Sequence, residues 1–283
     1  MAKSFRKSIF AKIIYWFFAV LFASFFIFPF IVMINKSLMT GVESELVPPV
    51  FFPTEISFDG FKNAIDPVFL NYLTNTFIVL GGNMFFGTLS ATLCAYSFSK
   101  LKWRGREVVF AIMMASIMMP GIVLQIPLYM FYVQVLNWTD TLAPLWVPSI
   151  FGGGALNIFL VRQFMRGLPK DIDDAARIDG ANTFVHFTKI ILPLCMPIIV
   201  YLLITTFMGV WNDFQGPLVY ISNPDLYTIP VGVYYKFTLM DYDGTLMVNT
   251  QMATGVILAI PLILIFMIFQ RQLIDGITVG SIK

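Results

Sequence analysis

The chain alternates between long uncharged apolar runs and shorter stretches that carry nearly all of its charge. A helix needs roughly 20 mainly apolar residues to cross a bilayer core. Six runs meet that length: 13–34, 74–97, 108–132, 142–161, 190–211 and 252–270. None alternates polar and apolar residues as a membrane-barrel strand does, and a helix satisfies its backbone groups within its own segment. The pattern therefore predicts an all-α integral membrane protein with six transmembrane helices. The first run is longer than the apolar core of a cleavable signal and lacks a small-residue cleavage site, so it is expected to remain as a span.

Helix-to-helix links in bundles commonly take about 2–8 residues, and three here are much longer. Two of them, 35–73 and 212–251, fall on one side of the membrane, where Pro48, Pro49, Pro53, Pro224 and Pro230 predict ordered, irregular caps. The third, 162–189, falls on the other side. The expected organisation is an amino end, first helix and loop (1–70), a main transmembrane domain (71–270) and a tail (271–283). No internal repeat, low-complexity tract or soluble domain is evident.

Composition agrees: 58% of the 283 residues are hydrophobic and 12% charged, where a soluble domain carries about a quarter charged residues. The placement of charge sets orientation. Lys3, Arg6, Lys7 and Lys12 precede the first run; Lys100, Lys102, Arg104 and Arg106 follow the second; Arg162, Arg166, Lys170, Arg177 and Lys189 follow the fourth; Arg271 and Lys283 follow the sixth. The opposite side keeps only Lys36, Lys62 and Lys236, beside Glu43, Glu45, Glu55, Asp59, Asp66, Asp140, Asp213, Asp225, Asp241 and Asp243. Basic residues are retained in the cytoplasm, so both termini are expected there. That rule accounts for the basic clusters and leaves no reason to invoke a nucleic-acid partner.

Chemistry-bearing residues are sparse. Cys94 and Cys195 lie in apolar runs without neighbouring ligands and read as packing residues. His186 reads as a solvated or packing residue. There is no phosphate loop of the Gly-x-x-x-x-Gly-Lys-Ser/Thr kind, so any ATP hydrolysis belongs to another chain, and no nucleophile, metal or paired-carboxylate constellation is present. The spans carry no charge, which argues against a proton-coupled carrier or a charged-ring channel. Asn83, Gln125, Asn157 and Thr205, with Thr206, are polar side chains inside spans. They either face a water-filled translocation path or bond between helices. Pro120 and Pro127 predict a kink, and Gly152, Gly153 and Gly154 a close approach or break.

The long cytoplasmic segment is the most patterned part of the chain. Pro169 with Asp171, Asp173 and Asp174 suits a helix amino end. Asp173 and Arg177 are spaced for an ion pair. Gly180 suits a left-handed helix stop, and Asn182 or Thr183 can cap a second helix. Two short helices joined at Gly180 are expected, with Ala175 and Ala176 leaving a low surface for a partner groove. From the residues alone, an amphipathic linker at the membrane interface remains the other reading.

This segment resembles the Glu-Ala-Ala loop signature of permease subunits of bacterial ATP-binding-cassette importers. Ala175, Ala176, Gly180, Ile190, Leu192 and Pro193 stand at the signature positions, and Asp174 replaces the usual Glu with a side chain one methylene shorter. Further segments resemble the carbohydrate-uptake branch, in particular relatives of the smaller maltose permease subunit. They include Phe28-Pro29-Phe30, Asn75-Thr76, Ala95-Tyr96-Ser97-Phe98-Ser99, Pro120 with Gln125 and Pro127, Trp211-Asn212-Asp213-Phe214, and the tail from Gly276 to Lys283. The resemblance implies a type I importer permease in the bacterial plasma membrane, forming a pore with a second permease subunit. It implies two separate ATPase subunits that hold ATP and magnesium, an extracytoplasmic solute-binding protein, and no cofactor on this chain. A glycerol phosphodiester or polyol is the alternative to a carbohydrate as solute. Asp171, Asp174, Ala175, Ala176, Ile178, Asp179 and Gly180 are the expected ATPase-docking residues.

Overall fold

The computed structural model describes residues 9–238 and 247–279, with side chains for 11–238 and 247–270. The expectations placed on Lys3, Arg6, Lys7, Asp241, Asp243, Lys283 and the last four tail residues lie outside the described residues, as do the side-chain expectations for Arg271 and the tail from Gly276. Among the described residues all regular structure is helical. The main helices are α1 (Ile9–Ser37), α2 (Pro67–Ser99), α3 (Arg106–Ser116), α4 (Gly121–Val135), α5 (Ala143–Gly167), α6 (Lys170–Ile178), α7 (Thr183–Leu194), α8 (Met196–Trp211), α9 (Gln215–Tyr220), α10 (Ile229–Thr238) and α11 (Val248–Val279).

Among the described residues, four helices are long and apolar enough to span a bilayer by themselves, and the count rises to six if each of two bent pairs is one broken span. Those pairs are α3 with α4, bent by 98°, and α7 with α8, bent by 72°. The sequence-based expectation of a merely kinked third span needs correction. Pro120 cannot donate a helical hydrogen bond and sits in extended conformation (ψ 125°) at the start of α4, so the axis turns there instead of flexing. The fifth run, expected to be continuous, breaks at Cys195. Pro197 lacks the N–H that would reach the Pro193 carbonyl, and its ring crowds that carbonyl.

The chain divides into two compact units. Residues 237–261 group with the amino-terminal unit. In the first unit (Met1–Asp66 with Phe237–Pro261), none of the most apolar 18-residue window of α1 is buried. The loop after α1 is an ordered cap, as its prolines predict. Glu43 accepts hydrogen bonds from the Thr54 N–H (2.6 Å) and hydroxyl (2.7 Å), which hold its carboxyl below the usual range. Asn249 closes the cap, its backbone N–H reaching Ser44 Oγ (3.2 Å) and its amide the Met39 carbonyl (3.1 Å).

The second unit (Pro67–Lys236 with Leu262–Lys283) holds the main core, in which Ala91, Ala95, Tyr96 and Phe98 of α2 cluster with Ile158, Val161 and Met165 of α5 and with Phe187, Ile191, Cys195, Ile198 and Leu202. Small residues on α2 let neighbouring helices approach, the recurrent solution where lipid supplies no hydrophobic drive. The approach is tightest at Gly153 (φ +61°), where a Cβ would overlap the Gly87 carbonyl. Arg162, one of the basic residues that follow the fourth run, is buried, with its side chain 4% exposed. Its Nε donates to the Phe98 carbonyl (3.2 Å), Nη2 lies 3.2 Å from Glu107 Oε2, and the guanidinium stacks 3.7 Å over Phe110. It thereby ties α2, α3 and α5 together. At the other end, Asn75 donates to the Asp225 and Tyr227 carbonyls (2.8 and 3.1 Å), and Thr76 Oγ1 accepts from the Ile229 N–H (2.9 Å).

Candidate functional site

The segment between α5 and α7 folds as two short helices joined at Gly180. Pro169 is the extended residue before α6, and Asp171 and Asp173 occupy the first turn, where they meet the positive end of the helix dipole. The helix stops by a paired backbone closure: the Ala181 N–H reaches the Ala176 carbonyl (2.9 Å) and the Gly180 N–H the Arg177 carbonyl (3.1 Å). That closure requires a left-handed residue, which Gly180 supplies at φ +75°. Asn182 then caps α7, its Oδ1 accepting the Val185 N–H at 2.8 Å.

The two faces of this hairpin differ sharply. Asp171, Asp174, Ala175, Ile178, Asp179 and Gly180 are exposed, and Ile178 is 86% exposed. Phe184, the second residue of the next helix, is 74% exposed and was not anticipated from the sequence. Its signal was there, an apolar side chain on the solvent face of a capped helix start. Ala176, expected on the partner-facing surface, is only 5% exposed. It packs inward with Tyr96 of α2 and Lys100, the residue after that helix, around a small polar cavity, so its small size serves the chain's own packing.

Two further expectations change. Asp173 does not pair with Arg177. Its Oδ2 lies 2.8 Å from Lys100 Nζ and its Oδ1 3.1 Å from His186 Nε2, while Arg177 reaches Asp174 at 3.7 Å. The same i,i+3 and i,i+4 neighbours were available, but the inward partners are better shielded from water. His186 is not solvated: its side chain is 13% exposed and packs against the Tyr96 ring, and its Nδ1 also lies 2.8 Å from Tyr96 Oη.

The polar residues inside the spans do not converge. Asn83 donates to the Val79 and Leu145 carbonyls (2.9 Å each), bridging α2 and α5. Asn157 donates to the Gly153 carbonyl (2.7 Å), and Thr205 to carbonyls of its own helix. Gln125 alone meets a second side-chain amide, that of Gln215, at 2.9 Å. Tyr129 and Tyr132 of α4 lie against Tyr220 of α9, with ring centroids 6.1 and 5.6 Å away.

Residues 83–279 match the family described as the binding-protein-dependent transport system inner membrane component. The chain belongs to this family. Among relatives in it, the trehalose/maltose transport system permease protein of Thermococcus litoralis is 29% identical over 281 residues, covering 98% of this chain and 99% of the relative. The arabinooligosaccharides transport system permease protein of Halalkalibacterium halodurans is 28% identical over 263 residues, covering 91% of each chain. An inner membrane ABC transporter permease protein of Escherichia coli is 25% identical, again over 91% of each. A chain in the crystal structure of a bacterial ABC transporter involved in the import of the acidic polysaccharide alginate superposes with a TM-score of 0.79 at 23% identity, over 96% of this chain and 99% of that one. The all-helical fold is thus that of an importer permease, and this chain is an inner-membrane component of a transport system.

Proposed function

We propose that this chain is a pore-forming permease subunit of an ATP-driven carbohydrate importer, that it performs no ATP chemistry itself, and that the hairpin 168–187 docks separate ATPase subunits. The observation that carries the docking is the exposure of Ile178 and Phe184 on either side of Gly180. Outside the apolar spans such side chains face water, and burying each in a partner's groove gains about 1.5–3 kcal/mol. Asp171, Asp174, Ala175, Asp179 and Gly180 form the polar rim of that contact. Ala176 acts from behind, by setting how closely α6 lies against α2. ATP and magnesium sit on two partner ATPases. A second permease completes the pore, and an extracytoplasmic binding protein delivers the solute. The permeases named above for trehalose, maltose and arabinooligosaccharides support a carbohydrate as that solute. Gln125 and Gln215 offer amides of the kind that hydrogen-bond sugar hydroxyls.

The test is uptake into proteoliposomes holding both permeases and the ATPases, with binding protein supplied on the opposite side from ATP. Labelled maltodextrins and arabino-oligosaccharides are compared with a glycerol phosphodiester and a polyol. ATP-dependent uptake of an oligosaccharide supports the reading, whereas uptake confined to the phosphodiester or polyol contradicts it.

A further inference from the structure

Four side chains outside the exposed docking surface form one continuous line. Lys100 Nζ lies 2.8 Å from Asp173 Oδ2, Asp173 Oδ1 lies 3.1 Å from His186 Nε2, and His186 Nδ1 lies 2.8 Å from Tyr96 Oη. The line is shielded, with the side chains of Lys100 and His186 only 8% and 13% exposed and Tyr96 5% exposed. Both ends lie at the cytoplasmic end of α2, Tyr96 in its last turn and Lys100 as the residue that caps it, while Asp173 belongs to α6 and His186 to α7. Arg177 lines the same cavity, but its guanidinium turns to Asp174.

Asp173 accepts at both oxygens, from the Lys100 ammonium and from His186 Nε2–H. With the imidazole neutral, Nδ1 is then an acceptor for the Tyr96 hydroxyl, which also lies 3.4 Å from the Thr183 carbonyl. A slide of α6 by about 1 Å would stretch a link beyond hydrogen-bonding distance, so α6 either breaks the line or carries α2 with it. An apolar contact would impose no such choice. The small inward Ala176 lets α6 lie close enough to α2 for these links to be direct.

We propose that His186, seated between Asp173 and Tyr96, is a positioning residue that makes the docking helix and the cytoplasmic end of α2 move as one body. ATPase closure then displaces a transmembrane helix instead of being absorbed in the loop. This rests on the docking reading above. Lys100 holds Asp173 in place from the α2 side, and Tyr96 is the point at which the motion enters the span.

The experiment uses the complete reconstituted transporter and reads solute taken up per ATP hydrolysed. His186→Gln retains a donor near the Nε2 position and offers nothing to Tyr96; His186→Asn does the reverse; Tyr96→Phe and Asp173→Asn each weaken one link. The expected result is ATPase co-purification at the parent level, continued hydrolysis, and solute per ATP reduced about ten-fold, the size set by one lost charge-assisted hydrogen bond. Asp173→Glu keeps the carboxylate and is expected to retain most of the parent ratio. Parent-like solute per ATP in both His186 variants overturns the proposal. Loss of the ATPase from those variants also overturns it, because the line would then be part of the docking surface. A parent transporter that moves a different solute contradicts the carbohydrate reading alone, and the ratio is then read on that solute.

Discussion

Replacing Arg162 by Met in a Cys94→Ala background removes a buried cation while keeping an apolar stem of similar reach. The charged hydrogen bond from Nε to the Phe98 carbonyl is worth about 1.5–3 kcal/mol, and the stack over Phe110 about 0.5–2 kcal/mol. The ion pair to Glu107 adds little, about 0–1 kcal/mol, because the Glu107 side chain is 62% exposed. Burying a cation has a desolvation cost that Met avoids, which returns part of the loss. The net expectation is about 2–3 kcal/mol of local destabilisation where α2, α3 and α5 meet, with Arg162→Lys intermediate because it keeps charge but not the flat stacked face. Cys195 reports it directly, since its thiol is fully buried in the adjoining core. A maleimide dye reacts only when that core opens, so its labelling rate tracks the opening equilibrium. At about tenfold per 1.4 kcal/mol, Arg162→Met should label Cys195 roughly 30- to 150-fold faster than the parent background in detergent. A labelling rate within about twofold of parent would refute the assignment of Arg162 as the clamp of this end of the bundle.

Gly153→Ala combines left-handed strain of about 1 kcal/mol with a Cβ driven into the Gly87 carbonyl, and should cost more than Gly105→Ala, which is also left-handed (φ +86°) but whose Cβ has open space; equal thermal stability of the two variants contradicts the close approach. Cysteines introduced near Lys102 and Lys170 should be labelled only from the cytoplasm, and those near Glu45 and Asp225 only from outside, as read with a membrane-impermeant reagent. The contribution of Glu43 to the extracytoplasmic cap is complete above the ordinary carboxylate range and is lost as pH falls through that range toward its lowered folded value. The parent should therefore lose thermal stability relative to Glu43→Gln as pH falls through that range, and a difference between the two that does not change with pH contradicts the assignment.

Much of the fold is legible from the apolar runs because a membrane span must satisfy its own backbone, leaving a strong signal of length and composition. The positions of the bends are legible in Pro120 and Pro197, but their size is not, since local chemistry says that a helix stops and not where the chain then packs. The hairpin was readable residue by residue: Pro169, the first-turn acids, Gly180 and Asn182 each have one conformational reason to stand where they do. What local spacing could not supply was the inward face. Asp173 meets Lys100, 73 positions away, and His186 meets Tyr96, 90 positions away; both contacts depend on how α2 packs. Ala176 failed as a surface residue for the same reason. Arg162 shows the limit of charge counting, because a basic residue at a cytoplasmic helix end satisfies the orientation rule whether it faces water or the core.

In the proposed docking, the hairpin presents Ile178 and Phe184 to an ATPase. The direct measurement is ATPase co-purification with an Ile178→Asp, Phe184→Asp double variant, with membrane abundance of the permease read in parallel. Both positions lie outside the spans and are largely exposed, so abundance should match the parent. Losing about 1.5–3 kcal/mol of burial at each site predicts a fall of at least ten-fold in bound ATPase. Asp174→Glu, which preserves the charge, should bind at the parent level. ATPase retained at parent stoichiometry by the double variant, with uptake unchanged, would show the hairpin to be a linker and contradict the docking.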